Sequence, residues 1–186
     1  MNFARMTRFL SSGSAQEKKA RNRGFSMTDT GLALALGAIV GIGVIVYFVQ
    51  YRGDAKIDEM QQHVQDIIAG TQKLYYQHPV YTGLTTANAV ASGLIPRQLV
   101  NGTGATNPWG GVTSLAPNSD PSKVDLTSTL IPSAACVELV SVNMAQDNGA
   151  VVAIQVNGTT MSLPVDPATA AARCTQSANT IVWTAE

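Results

Sequence analysis

Side chains capable of catalytic chemistry are scarce in this sequence. It contains two histidines, His63 and His78, and no GxSxG, HExxH, P-loop or CxxC motif. Such motifs supply the activated nucleophile, the metal or the phosphate cradle of many enzymes. We therefore expect a protein that is not an enzyme, with no catalytic residue and no cofactor. We interpret His63 as a solvated or boundary histidine on a helix rather than a ligand.

A set of four carboxylates is the candidate for a metal site. Its members are Asp54, Asp58, Glu59 and Asp66. At helical spacing these acids would line one face of a helix, and a solvated helix surface is the simpler interpretation of such a row. The sequence therefore predicts no metal site.

Another acid, Asp29, lies where a charge is costly, because the 22 residues from Thr30 to Tyr51 that follow it are uncharged. An unpaired carboxylate in a membrane helix is unfavourable, by an amount that approaches about 3 kcal/mol toward the bilayer centre. At a helix start, by contrast, the helix dipole favours an acid. The residues alone leave open whether Asp29 is such a helix-start acid or a carboxylate with a functional partner.

The segment from Thr30 to Tyr51 is long enough to cross a membrane. At about 1.5 Å per residue, a helix of this length spans the roughly 30 Å hydrocarbon core. A secretory signal would be shorter and would end in a small-x-small cleavage site, whereas polar and charged residues follow here. We expect the segment to stay in the mature protein.

Charge is distributed unevenly around this apolar segment. The chain has no net charge, yet residues 1–24 hold six basic residues and one acid, and residues 25–186 hold six basic residues and eleven acids. The positive-inside bias therefore places residues 1–24 in the cytoplasm and the C-terminal domain across the membrane. Only 13% of the residues are charged, against roughly 25% in ordinary soluble domains, so we expect no nucleic-acid binding.

The two cysteines, Cys136 and Cys174, would then face an oxidising compartment. Two cysteines in an exported domain allow one intrachain pairing, and closing this loop could stabilise the domain by about 4 kcal/mol on the chain-entropy model. The compartment therefore predicts a disulfide. Free, buried thiols are the alternative.

Apolar residues recur every three or four positions between residues 54 and 78, which predicts an amphipathic helix. These positions are Ile57, Met60, Val64, Ile67, Ile68, Leu74 and Tyr75. No proline occurs from Phe25 to Gln77, so the apolar and amphipathic parts should form one helix of about 50 residues.

Capping residues indicate three short helices further along the chain. Thr85 or Thr86 should cap the first and Ser133 the second. Asp166 should cap the third, with Pro167 in its first turn. The third helix then leads to the second cysteine.

An antiparallel sheet is indicated near the C-terminus. Residues 151–156 and 159–165 indicate two strands, and Asn157-Gly158 between them is a strong hairpin signal. Residues 180–184 should form a last strand. Residues 101–122, rich in Gly, Asn, Pro and Ser, indicate an irregular surface loop. The fold class is therefore α+β, with the long helix covering the apolar face of the sheet.

The junction KKARNRG/FSMTD resembles the cleavage site of type IV prepilins. It comprises a basic leader that ends in Gly24, then Phe25, then the acid Asp29 at the start of a long apolar helix. The resemblance implies that a prepilin peptidase cuts after Gly24 and N-methylates Phe25. It also implies that Asp29 meets the free amine on Phe25 of a neighbouring subunit during assembly. Aspartate replaces the family's glutamate here, and Ser26 and Thr28 are more polar than the residues usual in the family.

Three further segments resemble the type IVb pilins, which include the bundle-forming and toxin-coregulated pilins and the thin-pilus pilins of conjugative plasmids. They are NPWGG at 107–111, SAACVELVSVN at 133–143 and DPATAAARC at 166–174. With the leader, they cover most of the chain in the family's order. The resemblance implies the type IV pilin lollipop, in which a long N-terminal transmembrane and amphipathic helix packs on an antiparallel sheet.

This resemblance implies a structural subunit of a type IVb pilus with three parts. Residues 1–24 would be a cleaved cytoplasmic leader, 25–53 the transmembrane and filament-core half of the helix, and 54–186 the globular head. The subunit would wait in the bacterial inner membrane with its head in the periplasm. It would then polymerise with its own copies into a surface filament for adhesion, aggregation or conjugative contact. Its other partners would be the prepilin peptidase, the assembly ATPase and the inner-membrane platform protein.

Two alternatives remain at this stage. A minor pilin or a secretion-system pseudopilin would share the long helix but would prime a filament or push substrates. A membrane-tethered periplasmic binding domain or enzyme belongs to a different class of protein. The missing catalytic set and the leader that ends in glycine disfavour this second alternative.

Overall fold

A single long helix, α1, occupies Met27–Tyr75 in the computed structural model, which describes residues 27–78, 80–142 and 150–186. The chain divides into two compact units, of which the first ends at Val44 and the second runs from Ile45 to Glu186. The uninterrupted helix confirms the prediction from the absence of proline. The glycines within α1 do not break its hydrogen bonding.

One face of the amphipathic part of α1 is buried. Five predicted apolar positions lie in the core: Ile57, Met60, Val64, Ile67 and Ile68. Two predictions were wrong. Leu74 is 52% exposed, because it is Tyr75 that turns inward and packs on the ring of Tyr81, with 5.1 Å between ring centroids. His63 is buried, because it follows Met60 by three residues and so lies on the same face of the helix.

Seven strands form one sheet in the part of the second unit that the structure describes. The strands are β1 Val100–Asn101, β2 Gly104–Thr106, β3 Val112–Pro117, β4 Val124–Ile131, β5 Val151–Val156, β6 Thr159–Met161 and β7 Asn179–Ala185. Their order is β1-β2-β3-β4-β7-β5-β6, and every neighbouring pair is antiparallel. The last strand in sequence therefore lies inside the sheet, and the predicted α+β class is confirmed.

Residues 101–122 are not an irregular loop as predicted. They contain β2 and β3 and the end of β1, and β4 follows directly without having been predicted. The glycines and asparagines of this region serve the turns between short strands. Buried and half-buried residues alternate along the first part of β4, where the buried ones are Val124, Leu126 and Ser128. This is the period-two pattern of a strand.

In the described residues of the second unit there are three short α-helices, together with a 3-10 turn at Arg97–Leu99. The helices are α2 Thr86–Ala91, α3 Ser133–Ser141 and α4 Pro167–Arg173. The Thr85 hydroxyl accepts from the Asn88 amide, and the Asp166 carboxylate accepts from the first turn of α4, as predicted. The prediction that Ser133 caps α3 was wrong. The cap position is Pro132, whose fixed φ suits the turn into the helix, and Ser133 is the first helical residue.

The core lies between the sheet and the helices. Across the middle of the sheet, Leu126 of β4 and Ile154 of β5 are both register partners of Trp183 in β7, and all three side chains are fully buried. The buried face of α1, including Met60 and Ile67, belongs to the same apolar cluster. The predicted packing of the amphipathic helix against the sheet is therefore observed.

A bulge interrupts β4 where it meets β7, between Ser128 and Ile131. Leu130 in this bulge has a φ of 57° and a side chain that is 53% exposed. A left-handed backbone costs a branched side chain about 1 to 2 kcal/mol, and burial does not compensate fully here. The bulge is thus a strained position in an otherwise regular strand.

Candidate functional site

The first candidate surface is the apolar segment of α1 between residues 32 and 47. Its large apolar side chains are more than half exposed, for example Leu34 at 75% and Ile39 at 69%. The set comprises Leu32, Leu34, Leu36, Ile39, Val40, Ile42, Val44, Ile45, Val46 and Tyr47. Because consecutive positions are included, the apolar surface runs around the whole helix rather than along one stripe. A helix that is apolar on all sides needs lipid or other helices as its surroundings.

The part of α1 from Thr30 to Tyr75, which contains this segment, is long and apolar enough to cross a membrane by its length and composition, with a mean hydropathy of 2.6 over its most apolar window. Charged side chains are absent from residues 30–51. The hydrocarbon core of a bilayer and the interior of a bundle of apolar helices are similar solvents for such a surface. The same residues could therefore be covered first by lipid and later by copies of the segment.

Asp29 lies in the first turn of α1, two residues after Met27. The unsatisfied amides at a helix start favour a nearby carboxylate by about 0.3 to 1 kcal/mol. The predicted cleavage residues Gly24 and Phe25 lie outside the described residues. The predicted roles of all three residues stay predictions.

Cys136 and Cys174 form a disulfide, with their Cα atoms 5.7 Å apart. Cys136 lies in the second turn of α3, and Cys174 is the residue that follows α4, so the bond ties together two helices that are separated by the β5–β6 hairpin. Both residues are buried, at 0% and 2% exposed. The bond therefore belongs to the core and holds this corner of the head closed.

Asn157 and Asn179 stabilise the same corner of the head through side-chain hydrogen bonds. The Asn157 side chain in the β5–β6 turn donates to the side-chain oxygen of Asn179 across 2.9 Å and to the Arg173 carbonyl across 3.3 Å. Asn179 in turn donates to the carbonyls of Ile131 and Gln176, at 3.2 and 2.7 Å. This network connects the hairpin turn, the end of α4, β7 and the end of β4. Sequence reasoning recognised Asn157 as a turn residue but missed Asn179, which no motif marks.

The NPWGG segment forms the turn between β2 and β3. The Asn107 amide donates to the Thr129 carbonyl in the β4 bulge across 2.6 Å, and its oxygen accepts from the amides of Trp109 and Gly111, at 3.0 and 2.9 Å. A Cβ on Gly111 would overlap the Thr129 carbonyl, so the backbones approach as closely as glycine permits. The segment therefore fixes the turn to the strained bulge that carries Leu130.

Titratable groups in the described residues do not assemble a metal site, since no three His, Cys, Asp or Glu side chains converge there. Glu59 lies 3.4 Å from the Nε2 atom of His63, whereas Nδ1 of this buried ring has no partner among the described residues. Burial, with a smaller contribution from the Glu186 carboxylate, raises the pKa of the Tyr81 hydroxyl above its ordinary value. Neither arrangement supplies an activated nucleophile.

Comparison with protein families and curated proteins agrees with this arrangement. The family model described as PilS N terminal matches residues 54–186, more than half of the chain. The chain is similar to the "Major structural subunit of bundle-forming pilus" of Escherichia coli O111:H-, at 27% identity over 89% of this chain and 95% of that protein. It is also 29% identical to the protein of the same name from Escherichia coli O127:H6 (strain E2348/69 / EPEC), over 68% of this chain and 67% of the relative.

A solved structure has a similar fold. The type IV b pilin from Salmonella typhi matches with a TM-score of 0.51 at 18% identity, over 63% of this chain and 92% of that chain. At this identity the match concerns the fold alone. It is the fold of a long helix and an antiparallel sheet described above.

Proposed function

The chain belongs to the PilS family and is a type IVb pilin, and from this premise we propose that it is a structural subunit that polymerises through α1 into a surface pilus. Its role is mechanical rather than catalytic. The relatives named as major structural subunits of a bundle-forming pilus support a subunit of the filament itself.

The observation that carries the proposal is the contrast between the two parts of α1. In the second unit, Met60 and Val64 are at most 1% exposed, because they lie in the apolar core that the strands and the short helices share. Between residues 32 and 47 the helix exposes apolar side chains all around, and such a surface cannot remain in water. A helical polymer of copies covers that surface without any further protein, because the same segment of each neighbour supplies the cover.

Before assembly, lipid takes the place of the neighbouring helices. We place the leader, residues 1–24, in the cytoplasm, residues 25–53 in the inner membrane and the head, 54–186, in the periplasm. The excess of basic residues before the apolar segment and of acids after it supports this orientation. The buried disulfide suits an oxidising compartment. After assembly the subunit lies at the cell surface.

Maturation precedes assembly in this proposal. A prepilin peptidase cleaves after Gly24 and methylates the new amine on Phe25, and an ATPase with an inner-membrane platform protein drives extraction into the filament. Asp29 then meets the Phe25 amine of a neighbouring subunit. The motif residues support these steps by their spacing and by the start of α1 close to them.

Shearing cells and analysing the released filaments tests the proposal. We expect the subunit to be the abundant protein of the sheared fraction, with an intact mass that begins at a methylated Phe25. Trace amounts in a filament made of another protein would indicate a minor subunit. A mass that includes residues 1–24, or retention of all the protein in the membrane fraction, would contradict the proposal.

A further inference from the structure

Two asparagine–glycine turns in the head differ in how firmly the structure holds the asparagine. They are Asn101-Gly102, between β1 and β2, and Asn157-Gly158, between β5 and β6. A third pair, Asn148-Gly149, lies outside the described residues. Asparagine followed by glycine is prone to ring closure, because glycine has no Cβ to hinder attack by its own backbone nitrogen on the preceding side chain.

Asn157 is held by hydrogen bonds on both sides of its amide. Its nitrogen donates to Asn179 and to the Arg173 carbonyl, and its oxygen accepts from the Thr180 amide across 3.0 Å. Its backbone amide also donates to the Thr180 carbonyl, at 2.9 Å. Ring closure would require breaking these hydrogen bonds, so the folded structure slows the reaction at Asn157.

Asn101 has none of these restraints. Its side chain is exposed, and among the described residues neither that side chain nor the Gly102 amide makes a hydrogen bond. Gly102 has a φ of 63° at the first position of a two-residue turn. The turn joins the two-residue strand β1, at the edge of the sheet, to the three-residue strand β2. Local opening at such an edge is the least costly in a sheet.

From this contrast we propose that Asn101 is a site of spontaneous covalent modification, whereas the structure protects Asn157. The backbone nitrogen of Gly102 attacks Cγ of Asn101, a new C–N bond forms, and the bond from Cγ to the side-chain nitrogen breaks. Ammonia leaves with the proton from the Gly102 nitrogen, and a five-membered succinimide remains. Water then opens the ring at either carbonyl and gives aspartate or isoaspartate. No oxidant, reductant or enzyme takes part.

The product changes the edge of the head. A neutral amide becomes a carboxylate, so each modified subunit gains one negative charge at the β1–β2 turn. The isoaspartate form also inserts a methylene into the backbone at a turn where Asn101 pairs with Gly104. Modification should therefore loosen β1 and accumulate with the age of the protein.

Incubating the purified full chain in detergent at neutral pH and following each asparagine by tandem mass spectrometry tests the proposal. Trypsin separates the two turns, because Lys123 lies between them. In the folded protein we expect Asn101 to react at least about ten-fold faster than Asn157, a ratio that corresponds to about 1.4 kcal/mol. Equal rates, or a faster Asn157, would overturn the proposal. A glycan on Asn101 in place of deamidation would also overturn it, because Asn101-Gly102-Thr103 fits the acceptor pattern for N-glycosylation.

Two controls separate the effect of structure from that of sequence. After reduction and full unfolding the two rates should converge, and a persistent difference would mean that flanking residues, not hydrogen bonds, set the rates. The Asn101→Gln variant keeps an amide at an exposed site but disfavours closure of a five-membered ring. It should fold normally and lose the deamidated form of the tryptic peptide 98–123, which contains position 101 but neither Asn148 nor Asn157. If the deamidated form of this peptide persists in Asn101→Gln, another residue of the peptide produces it and the assignment is wrong.

Discussion

The side-chain nitrogen of Asn157 lies 2.9 Å from the side-chain oxygen of Asn179, and this contact joins the β5–β6 turn to the buried start of β7. Asn179 is fully buried, and its amide uses its donors and its acceptor within the protein. Such a network is stabilising only when all its members are satisfied. The disulfide therefore does not act alone in closing this corner of the head.

We expect Asn179→Ala to lower the free energy of unfolding by about 2 to 3 kcal/mol, because the Ile131 carbonyl and the Asn157 amide lose a buried partner. Urea unfolding of the full chain in detergent measures this. Asn101→Ala is the matched control, since it removes an exposed amide that makes no hydrogen bond to the described part of the chain, and it should change stability by less than about 0.5 kcal/mol. Equal losses in both variants would contradict the role of the network.

Removing the disulfide should also destabilise the head. For the double variant Cys136→Ala/Cys174→Ala we expect a loss of about 2 to 5 kcal/mol, because the unfolded chain regains the freedom of the closed loop. Thiol titration of the exported wild-type protein provides the control, and it should detect no free thiol without reductant. Detection of two free thiols in the folded protein would show that the bond does not form.

The disulfide and the hairpin turn could be predicted from the sequence, whereas the asparagine network could not. Two cysteines leave one intrachain pairing, and Asn157-Gly158 favours positive φ at adjacent positions, observed as 51° and 81°. The hairpin signal depends on two adjacent residues, and the disulfide follows from the number of cysteines, so neither requires knowledge of the complete fold. Asn179 contacts residues up to 48 positions away, so its role depends on the arrangement of the complete sheet.

Strands β1 to β4 could not be predicted from the sequence for a related reason. Strands of two and three residues, such as β1 and β2, are too short for a periodic pattern, and their glycines indicated a loop. In β4 the buried positions include Ser128, which bonds to the Thr113 hydroxyl across 2.7 Å, so hydrophobicity alone underestimates that strand. The prediction for His63 was wrong because a polar side chain was expected at the edge of the apolar face of the helix, whereas it is buried within that face.

The close approach of the NPWGG turn to β4 makes Gly111 intolerant of any side chain. Gly111→Ala should cost about 2 kcal/mol or more in the free energy of unfolding, because its Cβ would collide with the Thr129 backbone and displace Asn107. Gly104→Ala provides the control, since its Cβ would make only an ordinary contact with the Asn101 carbonyl at 3.6 Å. Thermal unfolding followed by circular dichroism compares the two. Equal tolerance would show that the turn can move away from the bulge.

Leu130 should be replaceable with a gain in stability. At its φ of 57°, asparagine and glycine are less strained than leucine, so Leu130→Asn should keep or raise the free energy of unfolding, by up to about 1 kcal/mol. Val112→Asn is the control, because Val112 is similarly exposed, at 59%, but lies in a strand with ordinary φ. That change should reduce stability, since asparagine is a poor strand former. A clear loss from Leu130→Asn would mean that packing of the leucine outweighs the strain.

Replacing Asp29 tests whether its carboxylate acts in assembly or only at the start of the helix. If its carboxylate pairs with the Phe25 amine of a neighbour in an apolar surrounding, Asp29→Ala leaves that charged amine buried without a partner. This should weaken assembly by about 3 to 5 kcal/mol per contact. The monomer should still insert, be cleaved and fold, because the head is formed by other residues. Filaments should be lost while the processed subunit accumulates in the inner membrane.

Conservative variants of Asp29 sharpen this test. Asp29→Glu restores the residue usual in the family and should keep or improve assembly, whereas Asp29→Asn keeps hydrogen bonding without charge and should give intermediate filament numbers. A helix-start acid contributes only about 0.3 to 1 kcal/mol, so that role predicts nearly normal piliation for Asp29→Ala. Filament counts by electron microscopy, with intact mass to verify cleavage after Gly24, separate the two roles. Because a cleavage defect would lower filament numbers for another reason, only a processed and unassembled Asp29→Ala subunit supports the pairing.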